Sequence, residues 1–421
     1  MWVAIMLILL VLGAPIACCM GAGALFYFEN TGVDLSSIIP MLNNGINSYT
    51  YLAIPLFILA GNLMNESGVT DKLISLSRAL VGNIRGGLGH VAVVANMFMA
   101  CISGSAVAST AAVGSLLIDP MEKDGYKREE ATAICVGASC IGPLIPPSIP
   151  MIVYSITAGT SIGAMFLAGA VPGIVLGIML MVYCVYMSHK NNIQRTGRFS
   201  WKSLWHAFIH GIEAVLLPLI ILGGIYSGLF TPTEAAAVAV MYALLVGLFG
   251  TKRLRLKRVP VLLYNTCLSS ASVMLIIGMA TVLGRVLTIE QVPQAIANFL
   301  ASLTSNKFLL LLLIDMLLLI VGCLMELSAA VVMLVPCLLP LASMMGMSPT
   351  HFGAIVVINL IIGFMTPPVG VCLYVGASVG NVSFEKLCRV MVPIIAIGVV
   401  LIFLVTYVPP ITTWLPTALG Y

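Results

Sequence analysis

Ile141-Gly142-Pro143-Leu144-Ile145-Pro146-Pro147-Ser148 and Ile362-Gly363-Phe364-Met365-Thr366-Pro367-Pro368-Val369 align under a shift of 221 residues, and each carries a Pro-Pro pair inside a charge-free apolar run. Proline has no amide hydrogen and its ring clashes with the preceding turn, so such a pair breaks a helix and frees several carbonyls. In hydrocarbon those carbonyls need partners, which confines broken backbone to sites buried in protein or lining a wet cavity. One Pro-Pro pair alone reads as a kink. Two in matching places mark an internal repeat.

The rest of the composition names the solvent. Of 421 residues 60% are hydrophobic and 8% charged, about a third of the charge of a soluble domain, and the mean hydropathy is +1.12. Soluble globular, disordered, collagen-like and coiled-coil classes are excluded, and with them nucleic-acid binding. No charged residue falls between Ala131 and His189, between Leu327 and Phe384, or after Arg389. The eleven cysteines show no metal or redox spacing and read as packing residues. Met1 to Phe28 has no basic start and is long enough to span, which argues against a signal peptide.

Charge-poor stretches long enough to cross a bilayer occur near residues 3–28, 48–66, 129–157, 161–187, 211–228, 233–250, 260–284, 353–379 and 391–413, which predicts nine crossings. Gly86 to Ile118 and Phe308 to Leu341 are too long for one crossing, at about 50 Å of helix against a core of about 30 Å. Arg85 precedes the first and Lys123, Lys127 and Arg128 follow it, so both ends face the cytoplasm and the stretch folds back as a hairpin. The same rule puts the Lys190 to Lys202 loop, the Lys252 to Arg258 cluster, Lys386 and Arg389 inside, the N-terminus inside and the C-terminus outside. The second stretch then opens outward.

Each half has a span, an amphipathic stretch (Val69 to Leu80, Val292 to Leu303), a re-entrant hairpin, a Pro-Pro-broken span and a further span, pointing oppositely across the membrane. This predicts an all-α polytopic membrane protein with inverted repeats, the plan of secondary transporters whose site lies at the midplane between discontinuous helices. Hard carbonyl oxygens at the breaks suit a small cation, sodium first. The hairpin tips, Ser103 to Thr110 and Gly322 to Ser328, open half-helices whose N-termini direct partial positive charge at an anion. Gly169, Gly173 and Gly177 read as close helix packing. Of the intramembrane acids, Glu213 and Glu234 lie near span ends and read as solvated at the interface. Asp315 reads as a hydrogen bond to another helix or as a proton gate, and Glu326 as part of the sodium site or as a hydrated tip. Asn359, seven residues before Thr366, lines the site or bonds a neighbouring helix.

Ile54 to Met64, the Ser103 to Thr110 tip, Gly142 to Ser148 and Gly363 to Gly370 together resemble the large membrane subunit of tripartite ATP-independent periplasmic (TRAP) transporters, over essentially the whole chain. The resemblance implies an elevator-type, sodium-coupled importer of carboxylates in the bacterial inner membrane. Sialic acid leads among its substrates, with C4-dicarboxylates next. It implies two partners, a small four-span membrane subunit, separate here because the chain starts directly at the large one, and a soluble periplasmic binding protein. Carried over by position, one sodium site lies between Ser103, Ser105 and the Gly142 to Pro147 break, including Pro146. A second lies between Gly322, Glu326 and the Thr366-Pro367 break. Gly104, Ser109, Thr110, Ser148, Ser328 and Asn359 are the candidates to hold the substrate. Neither hairpin has a basic residue, so its carboxylate falls to backbone N–H groups, hydroxyls and sodium.

The expected organisation is scaffold spans (1–66), a cytoplasmic arm (67–85), a first transport half (86–190), linker and scaffold spans (191–287), an outer arm (288–306) and a second transport half (307–421). The rival within transport is a proton-coupled or binding-protein-independent exchanger titrating Asp315 or Glu326. An intramembrane protease lacks its motifs, as neither His-Glu-x-x-His nor Gly-x-Gly-Asp occurs.

Overall fold

A computed structural model describes residues 1–195, 199–303 and 306–421, and these form helices and turns, with one isolated bridge between Arg85 and Arg195. Part of the Lys190 to Lys202 loop, residues 196–198, lies outside the described residues. The first departure from expectation is at the start of the chain. Residues 3–28 are two helices, α1 (Trp2–Val11) and α2 (Ile16–Thr31), packed on each other. The Trp2 and Tyr27 rings meet edge to face at 6.3 Å, and a Cβ on Gly23 would lie 3.5 Å from Met6 Cβ, so the pair is antiparallel. Gly13 at φ +80° and Pro15 at the α2 N-cap make the turn. The inside N-terminus rested on counting this stretch as a crossing.

After α3 (Ile38–Ile46) the chain bends by 62° into the span that contains α4 (Ala53–Glu66). Then come α5 (Val69–Val81), the helical hairpin α6 (Gly87–Ser103) and α7 (Ala106–Lys123), and α8 (Arg128–Ser139) and α9 (Ile149–Ala158) flanking the first break. Helices α10 (Ile162–Lys190), α11 (Trp201–Tyr226) and α12 (Pro232–Leu245) lead to the second half. There α13 (Val259–Ile289), α14 (Val292–Leu303), α15 (Lys307–Leu324), α16 (Leu327–Met344), α17 (Pro349–Phe364), α18 (Val371–Gly380) and α19 (Phe384–Tyr407) repeat the order, and α20 (Pro410–Ala418) ends the chain. The 221-residue shift carries the first residues of α7 and α8 onto those of α16 and α17. It brings α5, α6, α9 and α10 within two residues of the starts of α14, α15, α18 and α19.

Among the described residues seven helices are long and apolar enough to cross a membrane, or eight with the bent pair, where nine crossings were expected. Residues 3–28 and the two broken stretches, whose halves are each too short, drop out, while α15 and α16, expected as a re-entrant hairpin, are each long and apolar enough and enter the count. The halves also exchange partners. Helix α9 packs on α16 and α18 on α7, while α8 meets α19 and α10 meets α17. The glycine stripe of α10 makes this closeness possible. A Cβ on Gly169 would stand 2.6 Å from the Leu144 carbonyl oxygen, and one on Gly173 2.7 Å from Ile145, so α10 backs the first break. Glu213, read as solvated, instead pairs with Lys72 and ties α11 to α5. Glu234 closes a capping box with Thr231 at the start of α12.

Candidate functional site

The first break is held by serine. Ser148 donates from Oγ to the Pro143 carbonyl at 2.5 Å and accepts from the Met151 N–H at 3.3 Å, so one side chain spans the irregular segment and caps α9. Pro150 sits in the first turn of α9, where its missing N–H costs nothing. At the second break Gly370, at φ +50°, donates its N–H to the Cys323 carbonyl of α15 at 3.2 Å. Gly322 and Gly363 lie backbone to backbone, since a Cβ on Gly363 would come within 2.7 Å of Gly322 Cα. Thr366 donates to the Ile362 carbonyl at 2.7 Å. Both Pro146-Pro147 and Pro367-Pro368 bonds are cis.

Each hairpin tip is carried onto a break. Gly104, at φ +56°, leaves no room for a side chain, because a Cβ there would lie 2.4 Å from the Pro147 carbonyl oxygen. Gly142 sits against Ser105 and Ala106 in the same way, at 3.4 and 3.5 Å from where its Cβ would be. Ser105 caps α7 by accepting from the Ala108 N–H at 3.4 Å, and Ser103 Oγ lies 3.1 Å from Ser109 Oγ. In the second hairpin the cap is a carboxylate. Glu326 accepts from the Ala329 N–H at 3.0 Å and from Ser328 Oγ at 3.1 Å, so its charge lies at the positive end of α16.

A cavity of about 520 Å³ joins these parts. Residues from the first turns of four helices line it: Ala106 to Ala108 of α7, Ile149 and Pro150 of α9, Leu327 and Ser328 of α16, and Val371 of α18. Ser103 at the end of α6 and Phe364 at the end of α17 add helix C-termini, whose carbonyl ends favour cations. The cavity is thus edged by partial charges of both signs. Among the described residues lining it there is no lysine, arginine or histidine, and Glu326 is the one acid.

Of the residues singled out in the sequence, Ser103, Gly104, Ser105, Glu326 and Ser328 line this cavity. Gly142, Pro146, Thr366 and Pro367 belong to the breaks and Gly322 to the last turn of α15, all outside its lining. Thr110 donates to Ser139 Oγ at 2.6 Å and Ser109 is fully buried. Asn359 is fully buried too, donating to Asp315 Oδ1 at 2.8 Å, and Thr406 donates to the same oxygen at 3.1 Å, so Asp315 ties α15 to α17 and α19. Three polar side chains in its lining were not among the site residues expected from sequence: Asn62 and Asn65 on α4 and Ser269 on α13. Their signal was a polar residue inside an otherwise apolar stretch of helix.

Residues 3–411 match the family described as "Tripartite ATP-independent periplasmic transporter, DctM component". The chain belongs to the DctM family. It is 39% identical to the sialic acid TRAP transporter large permease protein SiaM of Vibrio cholerae, over 93% of this chain and 92% of that one. It is 41% identical to the C4-dicarboxylate TRAP transporter large permease protein DctM of Pseudomonas aeruginosa, over 88% and 87%. It is also 41% identical to the isethionate TRAP transporter permease protein DctMQ of Oleidesulfovibrio alaskensis, where it covers 96% of itself but spans 64% of that relative's length. Among solved structures the fold resembles the YdaH transporter of Alcanivorax borkumensis, with TM-score 0.63, 16% identity and 90% of each chain covered. MtrF of Neisseria gonorrhoeae is similar at TM-score 0.59, 14% identity and 90% and 85% coverage. DctM-family proteins are transporter permease subunits, not enzymes.

Proposed function

We propose that the chain is the large permease of a sodium-coupled importer of a carboxylate in a bacterial inner membrane, with basic loops in the cytoplasm and the C-terminus outside. One observation carries this reading: four helix N-termini and both hairpin tips meet at one cavity that has no cationic side chain among the described residues. An anion there is held by helix ends, hydroxyls and a bound cation. Sodium binds among the Ser103 to Ser105 tip and the Gly142 to Pro147 break, and again among Gly322, Glu326 and the Thr366-Pro367 break. Its binding orders the tips and completes the substrate site, so ion and substrate share binding free energy. The units 86–190 and 307–421 slide as one carriage against a scaffold of the remaining spans, with α5 and α14 as arms. A soluble binding protein delivers the substrate, and a small four-span membrane subunit completes the scaffold. Sialic acid is the leading substrate and C4-dicarboxylates follow, in line with the names of the relatives.

The test is uptake into proteoliposomes containing the assembled transporter. Ser103→Ala combined with Thr366→Ala abolishes sodium-dependent uptake on this reading; unchanged uptake refutes the site assignment. A proton-coupled reading draws on Asp315, whose Oδ2 is buried with no partner among the described residues. Replacing sodium by choline at fixed pH decides between them, because uptake that persists favours protons.

A further inference from the structure

Away from the central cavity, a groove of about 370 Å³ lies where α5, α6 and α11 meet, and α11 packs on both of the others. Its lining is apolar throughout among the described residues, with Leu76 and Leu80 from α5, Phe98 from α6, and Trp201, Trp205 and Phe208 from α11. Along α11 the lining runs from Trp201 to Val215, about 20 Å at 1.5 Å per residue, somewhat more than the ~15 Å of one leaflet's hydrocarbon. Trp201 and Trp205 are 77% and 66% exposed, and tryptophan favours the membrane–water interface, so the groove starts at the headgroups and ends near the midplane. Over that length its mean cross-section is about 18 Å², whereas a helix ~10 Å across needs about 80 Å². A partner's span does not fit inside it. An extended hydrocarbon chain does, since apolar groups pack at about 4–4.5 Å. Water does not fill an all-apolar groove, which leaves lipid as its occupant.

The Trp201 end has a basic rim. Arg195 donates to the Asn83 carbonyl, just past the end of α5, at 2.7 Å and is exposed. Asn83, Arg78, Ser200 and Ser203 line a second cavity of about 470 Å³ that flanks the same contact of α5 with α11. Arg78 is exposed and makes no ion pair among the described residues, while Asp71, the acid in that lining, is taken by Arg253 at 2.6 Å. The N-terminus of α11, capped by Ser200, adds partial positive charge.

We propose that the groove binds one acyl chain of an anionic phospholipid from the leaflet on the side of the basic loops, with its phosphate at Arg78 and Arg195. The tail fixes the position and the arginines fix the preference for negative charge. The site stands on the groove and its rim alone. That a lodged chain also braces the arm α5 between carriage and scaffold rests on the transport reading above.

The experiment is native mass spectrometry of the full chain released from nanodiscs of equal parts phosphatidylglycerol and phosphatidylcholine. One phosphatidylglycerol is expected to stay bound, favoured over phosphatidylcholine at least ~5-fold, and Arg78→Gln is expected to lower that preference by about fivefold. Leu80→Trp plugs the groove from a partly open position, 38% exposed, and is expected to cut retained lipid of both kinds at least ~10-fold, the equivalent of about two displaced methylenes. Leu80→Ala opens the groove instead and is expected to keep the lipid. Equal retention by Leu80→Trp and the parent overturns the proposal, and so does equal retention of the two lipids by the parent. Loss from Leu80→Ala as complete as from Leu80→Trp overturns it too, because the substitutions then act through the fold. In the complex with the small membrane subunit the lipid is expected to remain; its displacement there would give the groove to the partner chain and overturn the proposal.

Discussion

Gly104 at the first hairpin tip and Pro147 at the first break are in direct backbone contact, with the Pro147 carbonyl oxygen 2.4 Å from where a Cβ on Gly104 would stand. The tip therefore cannot seat on the break unless residue 104 is glycine. Its φ of +56° adds a left-handed penalty of about 1–2 kcal/mol for any other residue. Gly104→Ala is expected to lift the tip from the break and lower sodium-dependent uptake at least ~10-fold, a factor that needs only about 1.4 kcal/mol. Uptake per assembled transporter in proteoliposomes checks it, and near wild-type uptake would show that the contact is incidental.

Ser105 caps α7 and lines the cavity. Losing a serine cap costs about 1 kcal/mol. If ordering of this tip is coupled to sodium, Ser105→Ala raises the sodium concentration for half-maximal uptake by about fivefold, the equivalent of that energy. A sodium titration of initial uptake rates reads this directly.

Glu326 does two jobs that substitution separates. Glu326→Gln keeps an acceptor for the Ala329 N–H but removes the charge. Its stability is expected to stay within about 0.5 kcal/mol of the parent while its half-saturating sodium concentration rises several-fold. Glu326→Ala loses the cap as well, and its melting temperature falls. Identical sodium dependence in the parent and Glu326→Gln would leave the carboxylate a cap alone.

Gly61 of α4 faces the first tip, with Ser103 Cα 3.3 Å from where its Cβ would be. The 221-residue shift carries Gly61 onto Val282 and Ser103 onto Leu324. If the carriage slides and the halves mirror each other, the opposite-facing state replaces the first contact with the second. In a background without native cysteines, paired substitutions Val282→Cys and Leu324→Cys are expected to cross-link, and to do so more slowly when Gly61→Cys and Ser103→Cys have already been joined. Independent cross-linking of the two pairs contradicts a rigid carriage.

The breaks and tips were legible because their signals are local. A Pro-Pro pair ends a helix wherever it stands, and a run of small and hydroxylated residues opens one. The fold-back of α1 on α2 was not, although Gly13 and Pro15 stand in plain view, because an uncharged apolar run reads the same as one crossing or as two short helices. Direction around a helix was the other gap. Asn359 and Asn65 both interrupt apolar spans, yet one turns to Asp315 and the other to the cavity. Only the packing of neighbouring helices decides that. The partner of Glu213 was hidden for the same reason, since Lys72 lies 141 residues away.

The most direct measurement of the central claim is accumulation of labelled substrate by the reconstituted transporter, with its binding protein, under an imposed sodium gradient at fixed pH. The account predicts uphill accumulation that stops when choline replaces external sodium and is lost in the Ser103→Ala, Thr366→Ala variant. Accumulation that continues in choline, or that survives both substitutions, would contradict it.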